Sequence, residues 1–216
     1  MTSRVNAHLR SAGHDAPGTY DRRAELLDIA ARLFADRGLR ATTVRDIADA
    51  AGILSGSLYH HFDSKESMVD EILRDFLDAL FTSYRAIVAR QLGPRQTLEA
   101  IVVASFEALD EHHAAVAIYQ NEARRLAEQP RFDYIPQRLT EFRRMWHDVL
   151  KAGIADGTFR ADLDVELSYR FLRDTVWVGV GWYRPGGKLA IDDIARQYLS
   201  IVLDGITAHS NGATRG

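Results

Sequence analysis

The chain has 216 residues, of which 46% are hydrophobic and 26% charged, with a formal net charge of −3 and no cysteine. That suffices for one or two packed domains and excludes disulfides and thiolate metal or redox centres. No stretch approaches the roughly 18 apolar residues of a membrane span, and MTSRVNAHLRSAGHDAPGTY lacks a signal-peptide core, so no membrane contact and a cytoplasmic location are expected. Residues 1–66 hold nine basic and nine acidic side chains, so the acidic excess falls in residues 67–216 and does not argue against a polyanion partner for the N-terminal part.

In chain order, residues 1–21 read as a flexible arm. Arg4, Arg10, Arg22 and Arg23 are placed to follow a DNA backbone or enter a minor groove, or else residues 1–18 are a functionless tail. Leu26, Ile29, Ala30, Leu33 and Phe34 recur at helical spacing and predict a helix from Arg22 to Arg37, closed by Gly38. In ATTVRDIADAAGILSGSLYHHFDSK, Val44, Ile47, Ala48 and Ala51 form one apolar stripe. Thr43 and Asp46 form a capping box, and Gly52 ends the helix. The next helix, about Ser55 to Phe62, turns Leu58 and Phe62 inward and leaves Ser57, Tyr59, His60 and His61 for phosphates and base edges, as a helix-turn-helix DNA reader requires. Asp63 and Glu66 predict a second capping box. Lys65 then falls in a first turn, where a cation points to a nearby anion such as a DNA phosphate, a solvated lysine being the plain alternative.

A long helix to about Leu92 follows, broken by Gly93-Pro94. Helices are then predicted to about Leu109, from Ala114 to Glu128 and from Tyr134 to Ala155. Two more run from Val165 to Tyr183, capped by Asp164, and from Ile191 to Ala208. No alternating strand or long repeat interrupts them, so the fold class is all-α with about nine helices. Val176, Val178, Val180 and Trp182 make the penultimate helix apolar on most sides, which predicts a homodimer through the last two helices and, by its two-fold symmetry, a palindromic operator.

Arg173 and Trp177 share one helix face, with Tyr169 one turn earlier. A guanidinium in so apolar a stretch needs a partner, and two readings stay open: an ion pair with Glu122, Asp110 or Glu166, or an acidic or carbonyl-bearing ligand packed on Trp177. Tyr119, Gln120, Glu122, Arg125, Tyr134, Trp146 and Trp182 are further pocket candidates, flat apolar bodies with polar handles among them. No hydrolase elbow, phosphate-binding loop or zinc-protease signature is present, and Glu111-His112-His113 is too local to chelate alone. Neither an enzyme nor a metal or cofactor site is expected.

The strings TTVRDIADAAG and GSLYHHFDSKESM make residues 22 to 70 resemble the N-terminal domain of TetR-type transcriptional repressors, with Leu54 standing where that family usually has Ser or Thr. Leu54 leaves two options: Ser55 caps the reader helix in its place, or Leu54 itself touches a thymine methyl. The resemblance implies phosphate contacts from Thr43, Ser57, His61 and Lys65, with Arg45, Ser55, Tyr59 and His60 nearer bases or backbone. It also implies a helix-turn-helix domain over 22–66, a ligand-binding and dimerisation domain over 67–210 and a frayed tail over 211–216. IYQNEARRLAEQPRFDYI, WVGVGWYRPGG and QYLSIVLDGI are similar to actinobacterial TetR-type repressors of cholesterol C- and D-ring degradation. That likeness implies an effector that is a coenzyme A thioester of a steroid-derived two-ring propanoate, with Arg124, Arg125 and Arg131 facing its phosphates. A regulator of another amphipathic effector, such as a fatty acyl-CoA or a drug, or an activator, would carry the same reader.

Overall fold

The computed structural model describes residues 17–207, with side chains from Arg22 onward, and nine α-helices account for most of them. Helix α1 (Pro17–Arg37) starts earlier than the apolar stripe required, so residues 17–21 are helix and not arm; Gly38 closes it at φ 83°. Arg4 and Arg10 lie outside the described residues. Helix α2 (Val44–Ala50) begins at the anticipated box: the Asp46 amide donates to the Thr43 hydroxyl at 3.1 Å and the Thr43 amide to Asp46 at 2.7 Å. Gly52 then takes φ 66°, the left-handed turn that lets α3 (Ser55–Leu58) leave at an angle.

Helix α3 is shorter than the expected span to Phe62. After Leu58 the chain tightens, with the His60 and His61 amides bonding to the carbonyls three residues back, and this draws Phe62 into the core. The box that starts α4 (Lys65–Ala89) is also not the expected one. Ser64 is the extended cap residue, its hydroxyl accepting from the Ser67 amide at 3.0 Å, while the Ser67 hydroxyl accepts from the Ser64 amide at 3.2 Å. Asp63 stays exposed outside the helix.

Helix α5 (Pro94–Glu111) opens with proline in its first turn and packs against α4, α7 (Tyr134–Ala155), α8 (Val165–Trp177) and α9 (Ile191–Ile206), which makes it the centre of the C-terminal core. Helix α6 (His113–Leu126) lies against both α1 and α4, so the reader rests on the core over more than the connecting helix. Asp164 caps α8 as predicted, accepting from the Leu167 amide at 2.8 Å. The helix does not reach Tyr183, because Val178–Gly181 winds into a 3-10 turn at the two glycines. Val176 and Trp177 are buried, whereas Val178 and Trp182 are 61% and 54% exposed, so within one chain the apolar residues of this segment are split between the core and an uncovered surface.

No helix of the described residues is long and apolar enough to cross a membrane, and they contain no group of three potential metal ligands. Where α7 ends, the link to α8 passes over Gly153: a Cβ there would overlap the Phe159 ring, which is itself 1% exposed. Gly153→Ala is expected to lower unfolding stability by about 1–3 kcal/mol, the usual cost of overpacking, measured as a lower urea midpoint.

Candidate DNA reader and effector cavity

The reader surface is built by capping and bracing. On it Arg45 projects with its side chain 84% exposed, its guanidinium 3.7 Å from Asp49. Leu54 occupies the cap position of α3, makes no side-chain cap bond and is 80% exposed; Ser55 does not cap in its place. Ser55, Ser57, Tyr59 and His60 spend no side chain on an internal hydrogen bond, and His61 turns its ring toward Phe62 at 6.4 Å. All are available to phosphates and base edges. Behind them, Arg22 donates to the Ala51 carbonyl at 2.9 Å at the end of α2, while Arg23 pairs with Glu71 of α4 and lies 4.5 Å from the Phe62 ring centre. Both arginines therefore brace the reader and do not belong to an arm.

Lys65 also has an internal task. Its ammonium donates to the carbonyls of Leu39 and Thr42 at 2.8 and 3.2 Å, in the link between α1 and α2. The anion expected beside this first-turn cation is thus supplied, as partial charge, by two backbone carbonyls. Thr42, fully buried, adds hydroxyl bonds to Gly38 and Leu33 at 2.9 and 3.2 Å, so the same link is fixed from both sides.

The second site is a cavity of about 50 Å³ between α4, α6, α7 and α8. Phe76, Leu77, Leu80 and Phe81 of α4 form one wall; Tyr119 and Gln120, Arg138, Leu139 and Phe142, and Arg173 and Trp177 complete it. Phe76 meets Tyr119 and Trp177 edge-on at 6.2 and 6.1 Å. Two guanidinium groups sit at the rim. Arg173 pairs with Asp174 at 2.6 Å and stacks 5.2 Å from the Tyr169 ring centre, and Arg138 pairs with Asp78 at 2.5 Å. The Asp174 hydrogen bond raises the Arg173 pKa further, and burial pushes the Tyr119 hydroxyl up to about 12, so at neutral pH the first is a cation and the second a neutral donor.

Residues 26–72 match the family described as bacterial regulatory proteins of the tetR family, and residues 91–206 match the Tetracyclin repressor-like C-terminal domain. The chain belongs to the TetR family. It is 66% identical to the HTH-type transcriptional repressor KstR2 of Rhodococcus jostii (strain RHA1), over 91% of this chain and 97% of that one. KstR2 of Mycobacterium tuberculosis (strain ATCC 25618 / H37Rv) is 64% identical over 86% of this chain and 93% of that one. The solved structure of the ketosteroid transcriptional regulator KstR2 of Mycobacterium tuberculosis superposes with a TM-score of 0.85 at 63% identity, covering 87% of this chain and 96% of that one. At 23% identity, covering 83% of this chain and 97% of that one, AibR in complex with isovaleryl coenzyme A and operator DNA shares the fold with a TM-score of 0.72. The chain is therefore a TetR-type transcriptional repressor.

Within this TetR fold the candidate pocket residues divide. Arg173, Trp177, Tyr119 and Gln120 line the cavity. Tyr169 and Trp146 stand behind it, 1% and 0% exposed, Trp146 stacked on Phe142 at 5.7 Å. Glu122 and Arg125 instead pair with each other at 2.7 Å, Tyr134 packs under the Arg74 guanidinium at 4.0 Å, and Trp182 faces outward. None of these four lines the cavity, and Arg131 is 3.9 Å from Asp70. Nor do the expected carboxylates reach Arg173. Asp110 accepts from the Tyr183 hydroxyl at 2.6 Å, and Glu166 is held by Arg143 and Arg170 at 2.7 and 2.8 Å, which draws its pKa down to about 2. Arg138 and Phe142 were missed, although Arg138-x-x-x-Phe142 repeats the spacing of Arg173-x-x-x-Trp177.

Lys65→Met separates bracing from phosphate contact. As a brace, its loss weakens operator binding while leaving the slope of log affinity against log salt unchanged. A phosphate contact would instead reduce that slope by about one. Anisotropy titrations across a salt series distinguish the two.

Proposed function

We propose that this repressor binds a palindromic operator as a homodimer and is released by a coenzyme A thioester of a steroid-derived two-ring propanoate, so that it controls steroid-ring catabolism. In this reading residues 22–66 bind DNA through Thr43, Arg45, Ser55, Ser57, Tyr59, His60 and His61, with Lys65 bracing them, and residues 67–210 bind effector and partner protomer. The observation that carries the proposal is the shared wall: the helix that begins at Ser64 inside the reader presents Phe76, Leu77, Leu80 and Phe81 to the cavity. The steroid class is supported by the 63% identity to the ketosteroid regulator, and the thioester by the acyl-CoA that AibR binds in the same fold.

At about 50 Å³ the enclosed space is well below the roughly 300–1,000 Å³ of a ligand pocket, so the effector must part α4 from α7 and α8 to enter. That displacement is the allosteric signal: the effector binds the parted state better, and the altered tilt of α4 changes the spacing of the two readers. A coupling of about 1–3 kcal/mol is the usual size of such an effect.

For the dimer, Leu167, Phe171, Val178 and Trp182 form one exposed apolar stripe along α8 and its 3-10 extension, 52%, 70%, 61% and 54% exposed, and Ile201 of α9 adds to it at 67%. Such a stripe is covered by its own copy in an isologous contact. Phe171→Glu is expected to yield monomers in analytical ultracentrifugation and to abolish operator binding; a dimer with full affinity would sink this interface.

Arg173→Ala and Trp177→Ala test the cavity. In a gel-shift titration each is expected to bind operator normally while needing at least about tenfold more two-ring thioester for release, the effect of losing roughly 1.4 kcal/mol of contact. Release unchanged in both variants would move the effector elsewhere.

A further inference from the structure

We infer that Leu54 reads a thymine in the operator by packing its side chain on the 5-methyl group, with Gly56 as the notch that lets the base edge approach. The argument rests on two residues that make no sense inside the chain. A cap position favours a short polar side chain, and Leu54 offers none: it makes no cap bond and leaves 80% of itself in solvent, the highest value among the exposed large hydrophobic residues described. Gly56 lies within α3, where glycine is less favourable than alanine, yet its φ is not positive and an added Cβ would meet nothing within 4 Å. Neither the fold of the backbone nor any internal contact requires either residue.

Both are exposed, together with Tyr59 and His60, beside the partly exposed Ser55 and Ser57. In a helix-turn-helix the first residues of the second helix meet base edges in the major groove, and there the thymine methyl is the one apolar feature a side chain can recognise. An apolar knob beside a bare backbone position fits that feature. The hydroxyls of Ser55 and Ser57, the phenol of Tyr59 and the imidazole of His60 fit hydrogen-bonding edges and phosphates. This inference depends on the DNA-reading role of α3 and is independent of the effector.

The test uses the full-length protein and an operator selected by it from random duplexes, with each thymine replaced in turn by deoxyuridine, which deletes only the methyl group. One thymine per half-site is expected to lose affinity about fourfold on replacement, the factor that burial of one methyl supplies. Leu54→Ala should bind the thymine operator with the same loss and show no further change at that position, while keeping the wild-type response at every other thymine. Leu54→Ser restores a capping hydroxyl, so it should melt at a higher temperature and still be blind to the methyl. Gly56→Ala should keep or raise the melting temperature and weaken operator binding. The inference is overturned if no thymine is sensitive, if Leu54→Ala or Leu54→Ser retains the wild-type sensitivity at every thymine, or if Gly56→Ala binds as tightly as the unchanged protein.

Discussion

The ammonium of Lys65, bonded to two carbonyls in the link between α1 and α2, sits one residue after the cap of a 25-residue helix whose middle turns line a cavity. A carbonyl pair held by a cation resists displacement more than one held by water, because charge-assisted bonds are about twice as strong as neutral ones. The first turn of α4 therefore moves with the reader. Arg23, pairing with Glu71 two turns further along, extends the same attachment, and Phe62 fills the space between them. The link between α3 and α4, residues 59–64, is tied down by the buried Phe62 and the Ser64 cap, and it is through this link that the proposed tilt of α4 would reach α3.

The opposite end of α4 is anchored differently. Its buried residues run from Met68 to Ile87 and meet α5 and α6, while its cavity-facing turns are bridged to α7 by ion pairs at the surface, Arg85 with Glu141 and Arg138 with Asp78. Arg85 holds both Glu141 oxygens, and beneath these pairs Phe142 of α7 meets Phe81 and Tyr84 of α4 at 6.5 and 5.7 Å, so the seam is packed as well as bridged.

Features decided by one local side chain were legible in the sequence: the Thr43 and Asp46 box, Gly38 and Gly52 as helix stops, the Asp164 cap, and α7 from Tyr134 to Ala155. Features decided by competition were not. Asp63-x-x-Glu66 and Ser64-x-x-Ser67 both fit a capping pattern. The buried Phe62 and the reach of Lys65 to Leu39 and Thr42 select the second. Leu167, Phe171, Val178 and Trp182 stand at i, i+4, i+11 and i+15, one face of a regular helix, but spacing does not tell a core face from an exposed one, and only their exposure marks this stripe as a surface. Arg173 and Trp177, both on the cavity wall, were readable because a guanidinium and an aromatic at helical spacing is a recognisable pattern. Glu122 and Arg125, three residues apart, take each other as partners, and Tyr134 takes Arg74, a residue far off in sequence that spacing does not reveal.

Arg173 illustrates the same preference for local partners. Its carboxylate is Asp174, the next residue, whose own side chain is 66% exposed. A guanidinium held this way is a gatekeeper that opens by exchange: an incoming group must displace a carboxylate that water is ready to receive. Under the proposed reading, a hydrocarbon that suits the aromatic walls but carries no acceptor has nothing to offer Arg173 in exchange for Asp174.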